Sequence, residues 1–345
     1  MNENKDMKQN PNPRTIKELA VIAGVSSSTV SRALNNSTLI SLETRTRIQD
    51  LAKKYKLQIH YGAKNLRLKE TKVIGLITMK TNFIEYGKTN PFVLQMIGAM
   101  TNSLNSNDYD LLFIQVSEDD LDWPGRYYMR SRVDGFIILC NGQNKLLMNQ
   151  LLEINAPFVV FGTPFYKEKY GGVMSDNAYG AKLATNHLIK NGCKKIGFIG
   201  GPDYNQEVAE RFAGYKSALK KNKLKIEPKL IKFGNYTSKS GADCTNELLN
   251  TGITFDAVFI NSDVMAISAL SVLEEKGFSV PENIQIIGFD DIALAAYSSP
   301  SLTTVRQDIN KAGMLLVDYI IKRIKDNEII HTVLPVKLII RESSP

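Results

Sequence analysis

The chain has 345 residues, of which 43% are apolar and 23% charged, enough for two or three compact units of ordinary soluble composition. Its formal net charge of +8 is uneven: residues 1–72 hold fourteen Lys/Arg against six Asp/Glu, and the remaining 29 of each sign cancel. Cys140, Cys193 and Cys244 are widely spaced, odd in number and without a CxxC pair, which argues against a disulfide framework or zinc site and for a reducing compartment.

The first fourteen residues are polar and lack an apolar run, so they read as a disordered leader rather than a signal peptide or membrane anchor, and the chain as cytoplasmic. The stretch 15–34, TIKELAVIAGVSSSTVSRAL, follows. Thr15 to Glu18 has the form of a capping box, and Ile16, Leu19 and Ala20 recur at helical spacing. Gly24 stops that helix with the φ > 0 geometry a tight turn needs. Ser26 then caps a second helix, whose inward stripe is Val30, Ala33 and Leu34 and whose outer face carries Ser27, Ser28, Ser31 and Arg32. Two short helices about a glycine turn, with small polar residues and an arginine outward, describe a helix-turn-helix. The basic excess of the same segment suits an element that neutralises phosphates.

Asn35-Asn36-Ser37 is a turn signal. Ser41 caps a third helix with Ile48, Leu51 and Ala52 inward, and Lys53, Lys54 and Lys56 crowd its end, where cations suit the helix dipole. Residues 59–72 form a basic linker in which Ala63-Lys64-Asn65-Leu66 spans one helical turn. A single turn persists only when ordered by something else, and an apolar wedge in a DNA minor groove is one such device.

From residue 73 onward short apolar runs alternate with amphipathic segments. KVIGLIT, DLLFIQV, GFIILC and FVVFG read as buried strands, with helices near 91–106, 123–131 and 144–154. KIGFIG, LIKFG, DAVFI and IQIIGF form a second series, with helices near 177–191, 205–223, 238–250 and 263–276. Such alternation implies parallel sheets covered on both faces, here two doubly wound lobes. LTTV, a long helix over 308–326 and one final strand within TVLPVKLIIRE complete the pattern.

Ligands of open α/β sheets sit beyond the carboxyl ends of strands. Asn261, Ser262 and Asp263 fall there after DAVFI, Asp290 and Asp291 after IQIIGF, and Tyr236 shortly after LIKFG, while Arg211 lies on the helix after KIGFIG. An arginine, carboxylates, short polar groups and an aromatic face suit a hydroxyl-rich ring. Each Asp or Asn singly also serves as a cap or turn former. Catalytic signals are poor: GxGxxG, GxxxxGK[ST] and GxSxG are all missing, no spacing pairs two carboxylates, and the three histidines are scattered. No enzyme activity, cofactor or metal site is expected.

On these residues the chain from Thr15 to Ser344 resembles the lactose/galactose-repressor (LacI/GalR) family. TIKELAVIAGVSSSTVSRALNN resembles the family's headpiece signature and AKNLR its hinge helix. RVDGFIIL, the DNxxGAxxAxxHLIxxG run over 176–192, RFAGY, SDVMAISAL, IIGFDD, PSLTTVRQD and LIIRESS resemble landmarks of its regulatory core. The resemblance implies a headpiece over 15–58, a hinge over 59–72 and a core over 73–345 similar to periplasmic sugar-binding proteins, with three crossings between lobes. The first lobe would hold about 73–175 and 308–336, the second about 176–307 and 337–345.

Residue by residue, the resemblance implies DNA contacts from Thr15, Ser27, Ser28, Thr29, Ser31, Arg32 and Asn35, with Leu66 wedging the central base step. Ile59-His60-Tyr61 stands where the family carries Pro-Asn before the hinge. Effector contacts are implied for Arg211 and Asp290 as the hydroxyl-binding pair, Tyr236 as the stacking aromatic, and Ser262, Asn261 and Phe92 beside them. No heptad tail follows, so a homodimer is expected. The function implied is a repressor of sugar-utilisation genes, released from double-stranded operator DNA by a small sugar. PFVVFGTP and DNAYGAKLATNHLI look most like regulators of maltose or other α-glucosides. The alternatives are a sibling regulator answering to a purine or a phosphoprotein co-effector, and a sugar-binding protein without a regulatory role.

Overall fold

The computed structural model describes residues 13, 15–34, 36–57, 70–79, 84–85, 88–117, 120–139, 145–163 and 169–345. Asn35, Cys140, all of the leader but residue 13, and most of the hinge with Leu66 lie outside the described residues. The chain divides between Thr71 and Lys72 into two compact units.

In the first unit, α1 (Ile16–Ala23) begins where Thr15 Oγ1 accepts from the Glu18 amide at 3.2 Å and ends at Gly24, held at φ 66°. A side chain at that φ crowds its own carbonyl, so glycine is the favoured residue. In α2 (Ser27–Leu34) the Thr29 amide donates to Ser26 Oγ at 3.1 Å, and in α3 (Leu42–Lys54) Ser41 caps Thr44. Leu19, Ala20, Ala23, Val30, Ala33 and Ile48 form the buried core. Arg47 Nη2 donates to the Ala23 carbonyl and Gln49 Nε2 to the Ala33 carbonyl, both at 3.1 Å, so α3 satisfies acceptors that α1 and α2 leave open at their ends.

The second unit opens with β1 (Val73–Met79), a ribbon of β2 (Ile84–Glu85) and β3 (Lys88–Thr89), α4 (Pro91–Asn105), β4 (Asp110–Val116) and a π-helix (Gly125–Met129). Then come β5 (Gly135–Leu139), α5 (Lys145–Glu153), β6 (Phe158–Phe161) and β7 (Gly171–Ser175). The chain crosses over and builds α6 (Asn177–Lys190), β8 (Ile196–Gly200), α7 (Gln206–Lys221), β9 (Ile231–Phe233), α8 (Ser238–Leu249), β10 (Ala257–Ile260), α9 (Asp263–Glu275), β11 (Gln285–Asp290) and β12 (Thr303–Arg306). It returns for α10 (Ile309–Asp326) and β13 (His331–Leu334), and crosses a third time into β14 (Lys337–Ile339). The two six-stranded sheets run β13-β7-β6-β5-β1-β4 and β14-β12-β11-β10-β8-β9.

The stretch expected as one terminal strand is thus two strands in different sheets. Pro335 lies between them and has no N–H for a ladder, which ends β13 after Leu334. β13 pairs parallel with β7, whereas β14 runs antiparallel to β12, the one departure from parallel pairing within the two six-stranded sheets. β7 was not expected: Gly171-Gly172 breaks the apolar run that marks a buried strand, yet all five residues are buried. Asp176 and Asp308 cap α6 and α10 directly after the first two crossings, each accepting an amide at 3.0 Å. Each return of the chain therefore starts a helix at a defined residue. Ile309, Ala312, Leu316, Ile320 and Ile321 give α10 its buried stripe.

Candidate functional site

The outward face of α2 is polar. Ser27, Ser28 and Arg32 are exposed, as is Thr15, while Thr29 and Ser31 are half-buried. Ser26 Oγ lies 2.7 Å from Ser28 Oγ and 2.8 Å from Thr29 Oγ1, so three hydroxyls form one local network at the helix start. Among the described residues the Arg32 guanidinium has no hydrogen-bond or ion-pair partner, which leaves its fork of donors free for an acceptor outside the chain.

In the second unit a pocket opens at the carboxyl ends of both sheets. The first lobe supplies Asn90, Phe92 and Val93 at the start of α4, and Phe161 at the end of β6. Across from them stand Asn205, Glu207 and Arg211 on and before α7, Tyr236 after β9, Ser262 at the start of α9, Asp290 ending β11, and Gln307 at a crossing. The Phe92 and Phe161 rings pack at 5.7 Å, making an apolar wall opposite the charged groups.

Arg211 is the hub. Its Nε donates to Asn177 Oδ1 at 2.8 Å, its Nη1 to the Asn261 carbonyl at 2.6 Å, and its guanidinium lies 3.6 Å from the Phe289 ring centre. Asp290 Oδ1 accepts from Gln307 Nε2 at 2.7 Å. Burial pushes the Asp290 carboxyl up to about 7, against the opposing pull of Arg211 and of the Gln307 hydrogen bond. Burial likewise raises the Tyr236 phenol and the Glu207 carboxyl. Tyr236 at φ 65°, Asp290 at φ 122° and Asp291 at φ 60° all hold backbone geometry that non-glycine residues avoid, and such strain gathers where side chains must be aimed. The Tyr236 ring packs on Gly201, where a Cβ would collide with it.

Phe92, Arg211, Tyr236, Ser262 and Asp290 meet at this pocket. Asn261 stands behind it: its carbonyl holds Arg211, while its fully buried side chain makes no hydrogen bond. Asp263 is structural, accepting from Thr304 Oγ1 at 2.5 Å and the Ile292 amide at 2.9 Å. Asp291 pairs with Arg306 and Arg341 at 2.5 and 2.6 Å, away from the pocket.

Among the pocket residues named above, sequence reasoning missed Asn90, Val93, Phe161, Asn205, Glu207 and Gln307. The strand-end rule applied to FVVFG and LTTV points to Phe161 and Gln307, and the i, i+4 spacing of Glu207 and Arg211 places both on one helix face. Glu207 also reaches across the cleft: Thr163, beyond β6 in the first lobe, donates its amide to Glu207 Oε1 at 3.1 Å and its hydroxyl to Glu210 Oε1 at 3.1 Å. Among the described residues no cluster of metal-binding side chains occurs, and no helix is long and apolar enough to cross a membrane.

Residues 15–56 match the family profile described as bacterial regulatory proteins, lacI family, and residues 185–344 match a periplasmic binding protein-like domain. The chain is 32% identical over 333 residues to the ribose operon repressor of Haemophilus influenzae, spanning 95% of this chain and 98% of that one. It is 31% identical over 317 residues to the HTH-type transcriptional repressor PurR of Aliivibrio salmonicida, spanning 90% and 92%. Among solved structures, the transcriptional regulator CelR–cellobiose complex superimposes with a TM-score of 0.73 at 28% identity, over 96% of this chain and 100% of that one. The lac repressor dimer bound to operator and the anti-inducer ONPF superimposes with a TM-score of 0.84 over 96% and 99%, its 23% identity speaking for the fold alone.

Proposed function

Because the chain belongs to the lacI family of bacterial regulatory proteins, and is a DNA-binding transcriptional repressor rather than an enzyme, we propose that it holds operator DNA as a homodimer and is released by a small sugar bound in the cleft. One observation carries the effector half: Arg211, Asp290, Tyr236, Ser262 and Phe92 line one pocket, joining forked donors, a carboxylate and aromatic faces as a hydroxyl-rich ring requires. The DNA half rests on the exposed polar face of α2, with Ser27, Ser28 and Arg32 toward the major groove, Thr15, Thr29, Ser31 and Asn35 at its margins, and Leu66 wedged in the minor groove.

The switch has two states. Empty, the dimer presents two headpieces to successive major grooves and the hinge turns fold between them. Sugar draws the lobes together, shifts the first lobes against their partners and leaves the hinges unable to fold. The ligand moves this equilibrium only by its differential affinity for the two states, typically ~1–3 kcal/mol. The sugar proposed first is maltose or another α-glucoside, on the resemblance of PFVVFGTP and DNAYGAKLATNHLI. The similarity to PurR repressors favours a second reading, a purine held against the Phe92–Phe161 wall.

Fluorescence anisotropy of the full chain with DNA from its own upstream region tests both, titrated with maltose, cellobiose, ribose and hypoxanthine. Tight, salt-sensitive binding released by one sugar is expected. Release by hypoxanthine alone refutes the sugar, and the lack of any specific DNA binding refutes the repressor.

A further inference from the structure

The charge balance of the pocket limits what can enter it. Among the described residues Arg211 is the one Lys or Arg that lines it, beside the two acidic side chains Glu207 and Asp290. Two of its donors are already spent on Asn177 Oδ1 and the Asn261 carbonyl. Little cationic capacity remains for a ligand that brings its own negative charge.

Helix amino ends are the usual alternative seat for an anion, since their first amides are unpaired and the dipole is positive there. Three line this pocket, those of α4, α7 and α9. In each, one first-turn amide is served from within the chain. Asn90 Oδ1 accepts from the Phe92 amide at 3.0 Å, and Ser262 Oγ from the Met265 amide at 3.3 Å. At α7, where Asn205 makes no side-chain cap, the Glu207 carboxylate takes its own amide and that of Thr163. The protein has thus put a carboxyl group of its own where a ligand phosphate would sit.

Building on the reading of this cleft as the effector site, we propose that the pocket selects an uncharged, donor-rich effector, and that Glu207 is the residue that turns away phosphorylated relatives of that effector. Hydroxyl groups donate to Glu207 and Asp290 while accepting from what remains of Arg211. A phosphate, carrying about −1.5 to −2 charge, meets the acidic side chains of Glu207 and Asp290 and finds the Phe92, Met265 and Glu207 amides already taken.

Calorimetry on the full chain tests this with matched pairs: ribose and ribose 5-phosphate, glucose and glucose 6-phosphate, maltose and maltose 6′-phosphate, inosine and inosine 5′-monophosphate. In whichever pair binds, the uncharged member is expected to bind about a hundredfold or more tighter. Glu207→Gln, which keeps an oxygen for the Thr163 amide, is expected to narrow that ratio about tenfold or more, while thermal melting shows the variant folded. A phosphate ester that binds the natural chain as tightly as its parent, or a ratio unmoved in Glu207→Gln, overturns the proposal. Preference for esters over sugars sinks this inference and leaves the sugar-regulated repressor standing. Binding confined to the inosine pair refutes the sugar and still measures the ratio, and silence from every pair refutes both.

Discussion

Ile48 is the one fully buried residue of α3, and it closes a core whose other members are Leu19, Val30 and the alanines at 20, 23 and 33. Replacing it with alanine removes three carbons from a site where three of the five other buried members are alanines, with no side chain to swing into the space, and the larger Ile16, Leu34, Ile40 and Leu51 are only partly buried around it. The cost therefore falls in the upper part of the roughly 2–5 kcal/mol range for such truncations, at about 4 kcal/mol. A unit of this size draws only about 3–5 kcal/mol from its core, so the variant headpiece stands near even odds of being unfolded. Operator affinity falls in proportion to the folded fraction of each headpiece, a few-fold to about fiftyfold for a dimer. Hydrogen exchange gives the direct reading, with protection at the Leu19 and Val30 amides dropping about a thousandfold, since each 1.4 kcal/mol is a factor of ten. Effector binding, housed in the other compact unit, stays unchanged. Undiminished protection in Ile48→Ala refutes the packing argument, and a parallel loss of effector binding refutes the independence of the two units.

Arg32→Ala removes an unpartnered guanidinium, so anisotropy should show weaker operator binding with a shallower salt dependence; an unchanged salt slope means Arg32 contacts no phosphate. Gly201→Ala drives a Cβ into the Tyr236 ring, so calorimetry should show effector affinity falling at least tenfold while operator binding persists; equal affinity refutes the stacking role. Asp290→Asn concerns pH. With its carboxyl raised from 3.8 to about 7, the folded chain keeps a proton that the unfolded chain has lost, so Asp290 makes the protein less stable as pH rises across that window. Asparagine, which tolerates the positive φ at this position, removes that slope. The urea midpoint of the variant should therefore gain on that of the natural chain between pH 5 and pH 8, and a constant difference refutes the assignment.

Local features were readable from the sequence because their causes are local. Thr15, Ser26 and Ser41 sit at helix starts because a side-chain oxygen two or three residues ahead of an open amide can reach it, whatever the rest of the chain does. Gly24 ends α1 by its own φ preference. The strands from KVIGLIT to IQIIGF show themselves as apolar runs because both faces of a parallel sheet are covered. Tyr236, Ser262 and Asp290 were found by the rule that strand ends meet at a cleft, which follows from topology class alone, and Arg211 by its place on the helix that follows one such strand.

The remainder depends on partners distant in sequence. Nothing local tells TVLPVKLIIRE that its first half pairs with β7 and its second with β12; those partners lie about 160 and 30 residues away, and only the packed lobes bring them alongside. β7 is a strand because its neighbours bury it, not because Gly171-Gly172 favours extension. The Asn261 side chain was expected in the site; it is fully buried just past the end of β10, and its carbonyl holds Arg211. Glu207 is an ordinary surface glutamate by sequence, on the first turn of an amphipathic helix. Its place in the cleft depends on Thr163 reaching it from the opposite lobe. By itself the sequence determined which segments form helices and buried strands and which chemistry they carry, since caps, periodicity and turn residues act within a few positions. The tertiary structure alone decided which segments share a lobe and which charges share a cavity, because burial and electrostatic pairing are set by distance in space.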